Sequence, residues 1–222
     1  MLLFTRSASG EAAHKRFVEH ATGAANAAVA AQLIEQATEA AQQAGADFLC
    51  VESGQQVGCT FGERLTAAVA YGFALGYEQL VVIGNDCPAL GARQLRQAVH
   101  ALETVDAVLG PAADGGVYLL GVKRNSFDAA IWARLPWQTS RLGKTLAGCL
   151  LRAGATVYTL GQLADIDTAQ DLARVLLQLP AGRLRTRLRR LRAVEQRRVR
   201  RQLLHPTGAS VQLLPQRGPP AH

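Results

Sequence analysis

The 222-residue sequence lacks any apolar run long enough to span a bilayer, so a membrane-crossing helix is not expected. Its first residues, Met1-Leu2-Leu3-Phe4-Thr5-Arg6, lack the charged start and long apolar stretch of a secretory signal and read as a first β-strand. Cysteine is scarce. Cys50, Cys59, Cys87 and Cys149 form no Cys-x-x-Cys pair, and none has a histidine at ligand spacing. Zinc and a disulfide framework are therefore not expected, and reduced thiols in a cytoplasmic protein fit better. Neither Gly-x-x-x-x-Gly-Lys-Ser/Thr nor Gly-x-Gly-x-x-Gly occurs, which removes the P-loop and dinucleotide fingerprints. No Ser-His or Cys-His pair is evident. The five histidines (His14, His20, His100, His205 and His222) fall mostly on helical patterns or in the tail, so a catalytic histidine is not expected.

Among what is present, apolar residues make up 49% of the chain, enough for a sizeable core in one large domain or a domain plus an appendage. The net charge of +7 is unevenly placed. Residues 183–222 hold eleven arginines and one acid, Glu195, which leaves 13 basic and 16 acidic residues elsewhere, a net charge of −3. The basic character belongs to an appendage and not to the main domain.

The stretch Gln79 to Leu90 organises the chain. Leu80-Val81-Val82-Ile83 is short, apolar and rich in β-branched residues, with helical patterns on both sides, and so reads as a buried parallel strand. Gly84 and Pro88 stop it, leaving Asn85 and Asp86 where the strand leaves the sheet. Ligands of open α/β sheets bind beyond the carboxyl ends of strands, and an acid there can hold Mg²⁺ or Mn²⁺ against phosphate oxygens. A plain turn with Pro88 opening the next helix is the structural alternative.

The remaining segments alternate. After the first strand, the loop Arg6-Ser7-Ala8-Ser9-Gly10 leads to a helix with Glu11, His14, Lys15 and Arg16; Arg6 and Lys15 are candidate phosphate contacts, or ordinary surface cations. Ala24–Ala44 is an alanine-rich packing helix, followed by a strand at 46–51. Residues 55–65 form a polar loop entering a helix. Glu63 there complements the helix start and Arg64 faces solvent, or both close over a nucleotide with the loop. A helix at 91–103 and a strand at 105–110 precede Pro111-Ala112-Ala113-Asp114-Gly115-Gly116, which reads as a hairpin-like turn. Its glycines, Gly115 and Gly116, allow a ligand close to the backbone, with Asp114 aimed at it. Leu135 to Ser140 is irregular. Trp137 and Thr139 suit a small polar acceptor, or packing plus a cap from Thr139 or Ser140 for the helix 142–152. A last strand spans 155–160. Thr168 and Asp171 resemble a capping box. Asp167 is an alternative cap, whereas Asp165 has no local use and reads as reaching the site. The alternation across 1–180 argues for a mainly parallel sheet with helices on both faces.

Residues 183–204 form a basic amphipathic helix, with Leu184, Leu188, Leu191, Val194 and Val199 near helical spacing among ten arginines. An anionic lipid surface, nucleic acid, the main domain or a second subunit could receive it; the lack of interleaved aromatics argues against base stacking. Residues 205–222, rich in proline and glycine, are expected to be disordered.

Gly84-Asn85-Asp86-Cys87-Pro88, Leu109-Gly110-Pro111 with Asp114 to Gly121, Trp137-Gln138-Thr139-Ser140, and Asp165-Ile166-Asp167-Thr168 with Asp171-Leu172 together resemble a bacterial family of glycosyltransferase-like, selenodomain-associated transferases. The order of elements is also similar to 2-phospholactate guanylyltransferase and other nucleotidyltransferases. The resemblance covers roughly residues 1–180. It implies a nucleotide-diphosphosugar transferase fold of the glycosyltransferase-A type and a divalent cation, Mg²⁺ or Mn²⁺. It also implies a nucleotide-activated donor and a small-molecule acceptor. By it, Asp86 stands at the metal with Asp165 and Asp167, Asp114 faces metal or acceptor, and Gly62-Glu63-Arg64 matches a family segment. The family often has serine at the place of Asn85. It also carries a lysine-proline and a glycine-lysine-threonine-arginine segment after strand one, where this chain has Arg6 to Gly10 and His14 to Phe17. The reading is a metal-dependent transferase with Asp86 and Asp114 catalytic, glycosyl transfer first and nucleotidyl transfer from a nucleoside triphosphate second. A non-catalytic protein binding through the basic tail is the third reading, and a homo-oligomer is possible on any of them.

Overall fold

The computed structural model describes residues 1–19 and 22–204. His20 and the tail 205–222 lie outside the described residues, as does the Val199 side chain. The chain runs β1 (Leu2–Phe4), α1 (Ala8–His14), α2 (Gly23–Gln43), β2 (Leu49–Val51), α3 (Phe61–Ala74), β3 (Gln79–Ile83) and α4 (Ala92–Thr104). It continues with β4 (Ala107–Pro111), β5 (Val117–Lys123), α5 (Ala129–Ala133), α6 (Leu142–Arg152), β6 (Val157–Thr159), α7 (Ala169–Gln178) and α8 (Arg183–Leu204). No helix among these is long and apolar enough to cross a membrane.

The sheet has six strands in the order β2-β1-β3-β5-β4-β6. β1 pairs in parallel with β2 and β3, and β4 with β6, while β5 runs antiparallel to both its neighbours. The single reversal follows from the short Ala112–Gly116 connection, because a tight turn joins only antiparallel strands. Alternate residues of the strands face opposite sides. Leu80 and Val82 pack with α3, α5 and α6, in a core that includes Leu65, Val69, Trp132 and Leu146. Val81 and Ile83 pack with α2 and α4, against Ala37, Ala41, Leu95 and Leu102. Burial on both faces explains why β3 is apolar throughout.

A third cluster joins Phe17 and Val18 to α2, α7 and α8. Leu188 of α8 is fully buried there, and Arg187 bonds Glu35 of α2 at 2.9 Å. The basic helix is thus docked on the main domain by its apolar stripe. Val194 does not belong to that stripe: it is 65% exposed, and the buried residue is Glu195, whose Oε1 accepts from the Thr22 N–H at 3.3 Å. Glu195 follows Leu184, Leu188 and Leu191 at helical spacing, whereas Val194 lies about 100° off it.

Candidate functional site

A cleft of about 290 Å³ opens beyond the carboxyl ends of β1 and β3. Its floor is apolar, from Phe4, Phe61, Leu65 and Leu142, with the two phenylalanine rings edge to face at 5.6 Å. Its rim is charged. Arg6 follows β1, Asn85 and Asp86 follow β3, Asp114 and Gly116 come from the β4–β5 turn, and Asp165 and Asp167 precede α7. Backbone contacts fix these loops together. The Ile166 N–H donates to the Asp86 carbonyl at 2.9 Å, Ala112 bridges Leu163, and Arg16 bridges Thr168.

α1 ends at His14, and Lys15 is extended, its N–H still bonded to the Glu11 carbonyl at 2.8 Å. This turns the Lys15 side chain into the cleft, while Arg16 points to solvent. The Lys15 ammonium lies 2.9 Å from Asp86 Oδ2 and 2.7 Å from Asp167 Oδ1. Burial opposes its charge, but Asp86 and then Asp167 outweigh that and hold Lys15 well above the ordinary lysine range. Asp165 is pushed up to about 6, first by burial and then by Asp114, against a lowering bond from its own backbone N–H; Asp86 and Asp167 add to the rise. Four aspartates thus crowd a cleft in which one ammonium serves two of them.

The cleft brings together nine of the residues expected from the sequence: Arg6, Lys15, Asn85, Asp86, Asp114, Gly116, Thr139, Asp165 and Asp167. Four others do not line it, each because a local structural bond holds it elsewhere. Glu63 accepts from the Cys59 and Thr60 N–H groups and completes a capping box with Thr60. Arg64 is exposed and donates to the Cys59 carbonyl at 3.1 Å. Trp137 donates to the Trp132 carbonyl at 2.7 Å and packs on Gly62. Gly115, at φ 92°, sits where a Cβ would overlap the Ser140 carbonyl. It accepts instead from the Gly143 N–H at 3.0 Å, so this glycine serves chain packing. Asp114 accepts from the Gly116 N–H at 2.8 Å. Neither Thr139 nor Ser140 caps α6. Arg141 stands at its N-cap without a side-chain bond, and Thr139 donates to the Pro136 carbonyl. At α7 the cap is Thr168, not Asp167.

Two cleft residues escaped the sequence reading. Glu11 is 4% exposed, with Oε1 3.6 Å from Arg6 and Oε2 buried without a partner. An acid amid the cations of the first loop was its only signal. Gln138 lines the cleft at φ 59°, a left-handed conformation that costs a non-glycine roughly 1 kcal/mol. Nothing in the local sequence announces it.

The strand order, the one reversed strand and the charged cleft at the strand ends make an α/β fold, and the similarity to a solved structure below assigns it to the nucleotide-diphosphosugar transferase type. The chain belongs to the bacterial family described as "Uncharacterized protein conserved in bacteria (DUF2064)", whose model matches residues 17–139. Among solved structures it is similar to a candidate nucleotide-diphospho-sugar transferase from Desulfovibrio desulfuricans. That protein is 21% identical with a TM-score of 0.77, over 88% of this chain and 96% of the other. It is also similar to Rv0371c of Mycobacterium tuberculosis in complex with manganese, at 18% identity and a TM-score of 0.45 over 80% and 98% of the two chains. A third similarity is to CMP:2-keto-3-deoxy-manno-octonic acid synthetase complexed with CTP, at 12% identity and 0.44 over 79% and 95%. The fold assignment rests on the first of the three. No curated protein matches the chain.

Proposed function

We propose that the chain is a transferase that binds a nucleotide-activated donor with a divalent cation in this cleft and passes a glycosyl group to a small acceptor. The observation that carries the reading is the pair Asp86 and Asp167 sharing one cation, the Lys15 ammonium, at the strand ends. Lys15 is a stand-in for a metal ion: two hard oxygen donors already converge on a positive charge. Among the described residues no group of three His, Cys, Asp or Glu side chains is placed to hold a metal. Two converging carboxylates can still hold Mg²⁺ or Mn²⁺ when substrate phosphates and waters complete the coordination. The Asp165 carboxyl, raised by burial and then by Asp114, agrees with this, because a bound cation offsets the neighbouring negative charge. The similarity to a candidate nucleotide-diphospho-sugar transferase agrees with this choice of donor.

The residues divide the work by charge. Asp86 and Asp167 would hold the cation, which supplies positive charge to the departing diphosphate. Lys15 and Arg6 add charge to the same oxygens. The apolar floor at Phe4 and Phe61 excludes water from beneath the nucleotide. Asp165 lines the cleft beside Asp86 and Asp167 and is the carboxylate assigned to take a proton from an acceptor hydroxyl onto its own oxygen as the new bond to the glycosyl group forms and the bond to the diphosphate breaks. No covalent nucleophile is required, because such transfers depend on positioning and electrostatics.

The test is thermal stability against nucleotide-sugars and nucleoside triphosphates, each with Mn²⁺, Mg²⁺ or a chelator. A ligand that binds only the folded state raises the melting point according to its affinity. A metal-dependent rise with one nucleotide-sugar supports the reading, a rise with triphosphate alone replaces it with nucleotidyl transfer, and no rise anywhere refutes both.

A further inference from the structure

We propose that Lys15 is a resident counter-ion that closes the carboxylate pair Asp86–Asp167 to a free divalent cation and yields it when a phosphate-bearing ligand draws the ammonium away. The proposal rests on the donor and cation assigned to the cleft above. Its basis is geometry. One ammonium spans two carboxylates that are 81 residues apart in the chain, at 2.9 and 2.7 Å, and its side chain is only 16% exposed. The backbone on either side is fixed, by the Lys15 N–H bond to Glu11 and by the Arg16–Thr168 bridge next to Asp167. The ammonium is therefore held at the pair and does not wander into solvent.

The second cleft cation is engaged as well, Arg6 with Glu11 at 3.6 Å. Without ligand, then, Lys15 is held at the pair, Arg6 lies against Glu11, and the carboxylate pair is not free for metal. A free divalent ion meets a lysine in its place. A free diphosphate meets five lining acids, Glu11, Asp86, Asp114, Asp165 and Asp167, against two cations. Each obstacle is removed by the other ligand. Metal on Asp86 and Asp167 releases Lys15 toward the phosphates, and phosphates that hold Lys15 expose the carboxylates. A lysine suits this exchange because its charge rides on a flexible four-carbon stem. Metal and nucleotide consequently bind with positive coupling, and the coupling is reciprocal. A metal that must wait for Lys15 to leave has its apparent affinity reduced by the fraction of time the pair is open.

The experiment is Mn²⁺ binding to the full chain without nucleotide, followed by electron paramagnetic resonance of the free ion, for the wild type and for Lys15→Met, Lys15→Gln, Lys15→Arg and Arg6→Met. Lys15→Met should bind Mn²⁺ at least tenfold tighter than the wild type, and Lys15→Gln, a polar replacement should the apolar one fail to fold, should do the same. Lys15→Arg restores a cation and should stay as weak as the wild type. Arg6→Met removes one positive charge from the same cleft but away from the pair, and should tighten binding less than threefold. A parallel melting series of the wild type with Mn²⁺ and each of UDP, GDP, ADP and CDP reports whether the cleft takes metal and nucleotide at all. If it does, but Lys15→Met and Lys15→Gln gain nothing, or Arg6→Met gains as much, the exchange is overturned and the transferase reading stands. If no protein takes up Mn²⁺ with or without nucleotide, both are overturned.

Discussion

Replacing Asp165 by Asn should make the protein more stable at neutral pH while impairing the proposed group transfer. The Asp165 carboxyl is raised from an ordinary 3.8 to about 6, by burial and then by Asp114. The folded protein therefore binds this proton more tightly than the unfolded chain does. Between about pH 4 and 6 the native state carries more protons, so stability falls as pH rises through that window, and above it the ionised group costs its full amount. Two units correspond to about 3 kcal/mol. The cleft is open to water, which screens the interaction and brings the realistic gain to about 1–2 kcal/mol. Asn keeps an oxygen for the backbone N–H bond and removes the charge. Guanidinium unfolding of both proteins at pH 7.5 and pH 4 measures the difference. The gain should be present at pH 7.5 and gone at pH 4. Asp165→Asn that is neutral or less stable at pH 7.5, or equally stabilised at pH 4, would refute the raised carboxyl that burial and Asp114 produce at this position.

Other substitutions separate structural from ligand-contacting residues. Glu63→Ala breaks the cap of α3 and should cost about 1 kcal/mol in denaturant unfolding, with nucleotide affinity by calorimetry unchanged. Gly115→Ala combines a left-handed φ with overlap on the Ser140 carbonyl, and should lower stability by about 2–4 kcal/mol in the same assay. Leu188→Ala opens a cavity where α8 meets Phe17 and α2, at a cost of about 2–4 kcal/mol. Its hydrogen exchange should quicken along α8 and in residues 15–19, because the segment that carries Lys15 is packed on the same cluster.

Much of this arrangement was legible in the sequence. The apolar run Leu80–Ile83 between helical patterns placed the central strand, the Asp114-Gly115-Gly116 turn placed the hairpin, and Thr168 with Asp171 placed the start of α7. These signals are local, and local chemistry decides them. What was not legible depends on long-range partners. Lys15 and Asp86 are 71 residues apart, and no spacing rule joins them. Glu63 could not be told from a ligand contact, because a carboxylate in the first turn of a helix serves either role equally well until the backbone N–H groups of Cys59 and Thr60 are seen to claim it. Gly115 and Gly116 are adjacent and identical, yet one faces Ser140 and the other the cleft. Trp137 looked like a platform for an acceptor, but the small Gly62 lets its ring pack inward. The five-residue α5 is too short to show a period. Glu195 and not Val194 continues the stripe of α8 because it follows Leu184, Leu188 and Leu191 at helical spacing, and its buried carboxylate is met by the Thr22 N–H.

Asp86, which follows β3, and Asp167, which precedes α7, are assigned the cation for a nucleotide-activated donor. The most direct measurement is a calorimetric titration, with Mn²⁺ and again with chelator, of the nucleotide selected by thermal stability into wild type and Asp86→Ala. Metal-dependent binding is expected for the wild type and its loss for Asp86→Ala, whose fold is verified by an intact cooperative melt. Equal binding to both proteins, or binding indifferent to the chelator, would contradict it.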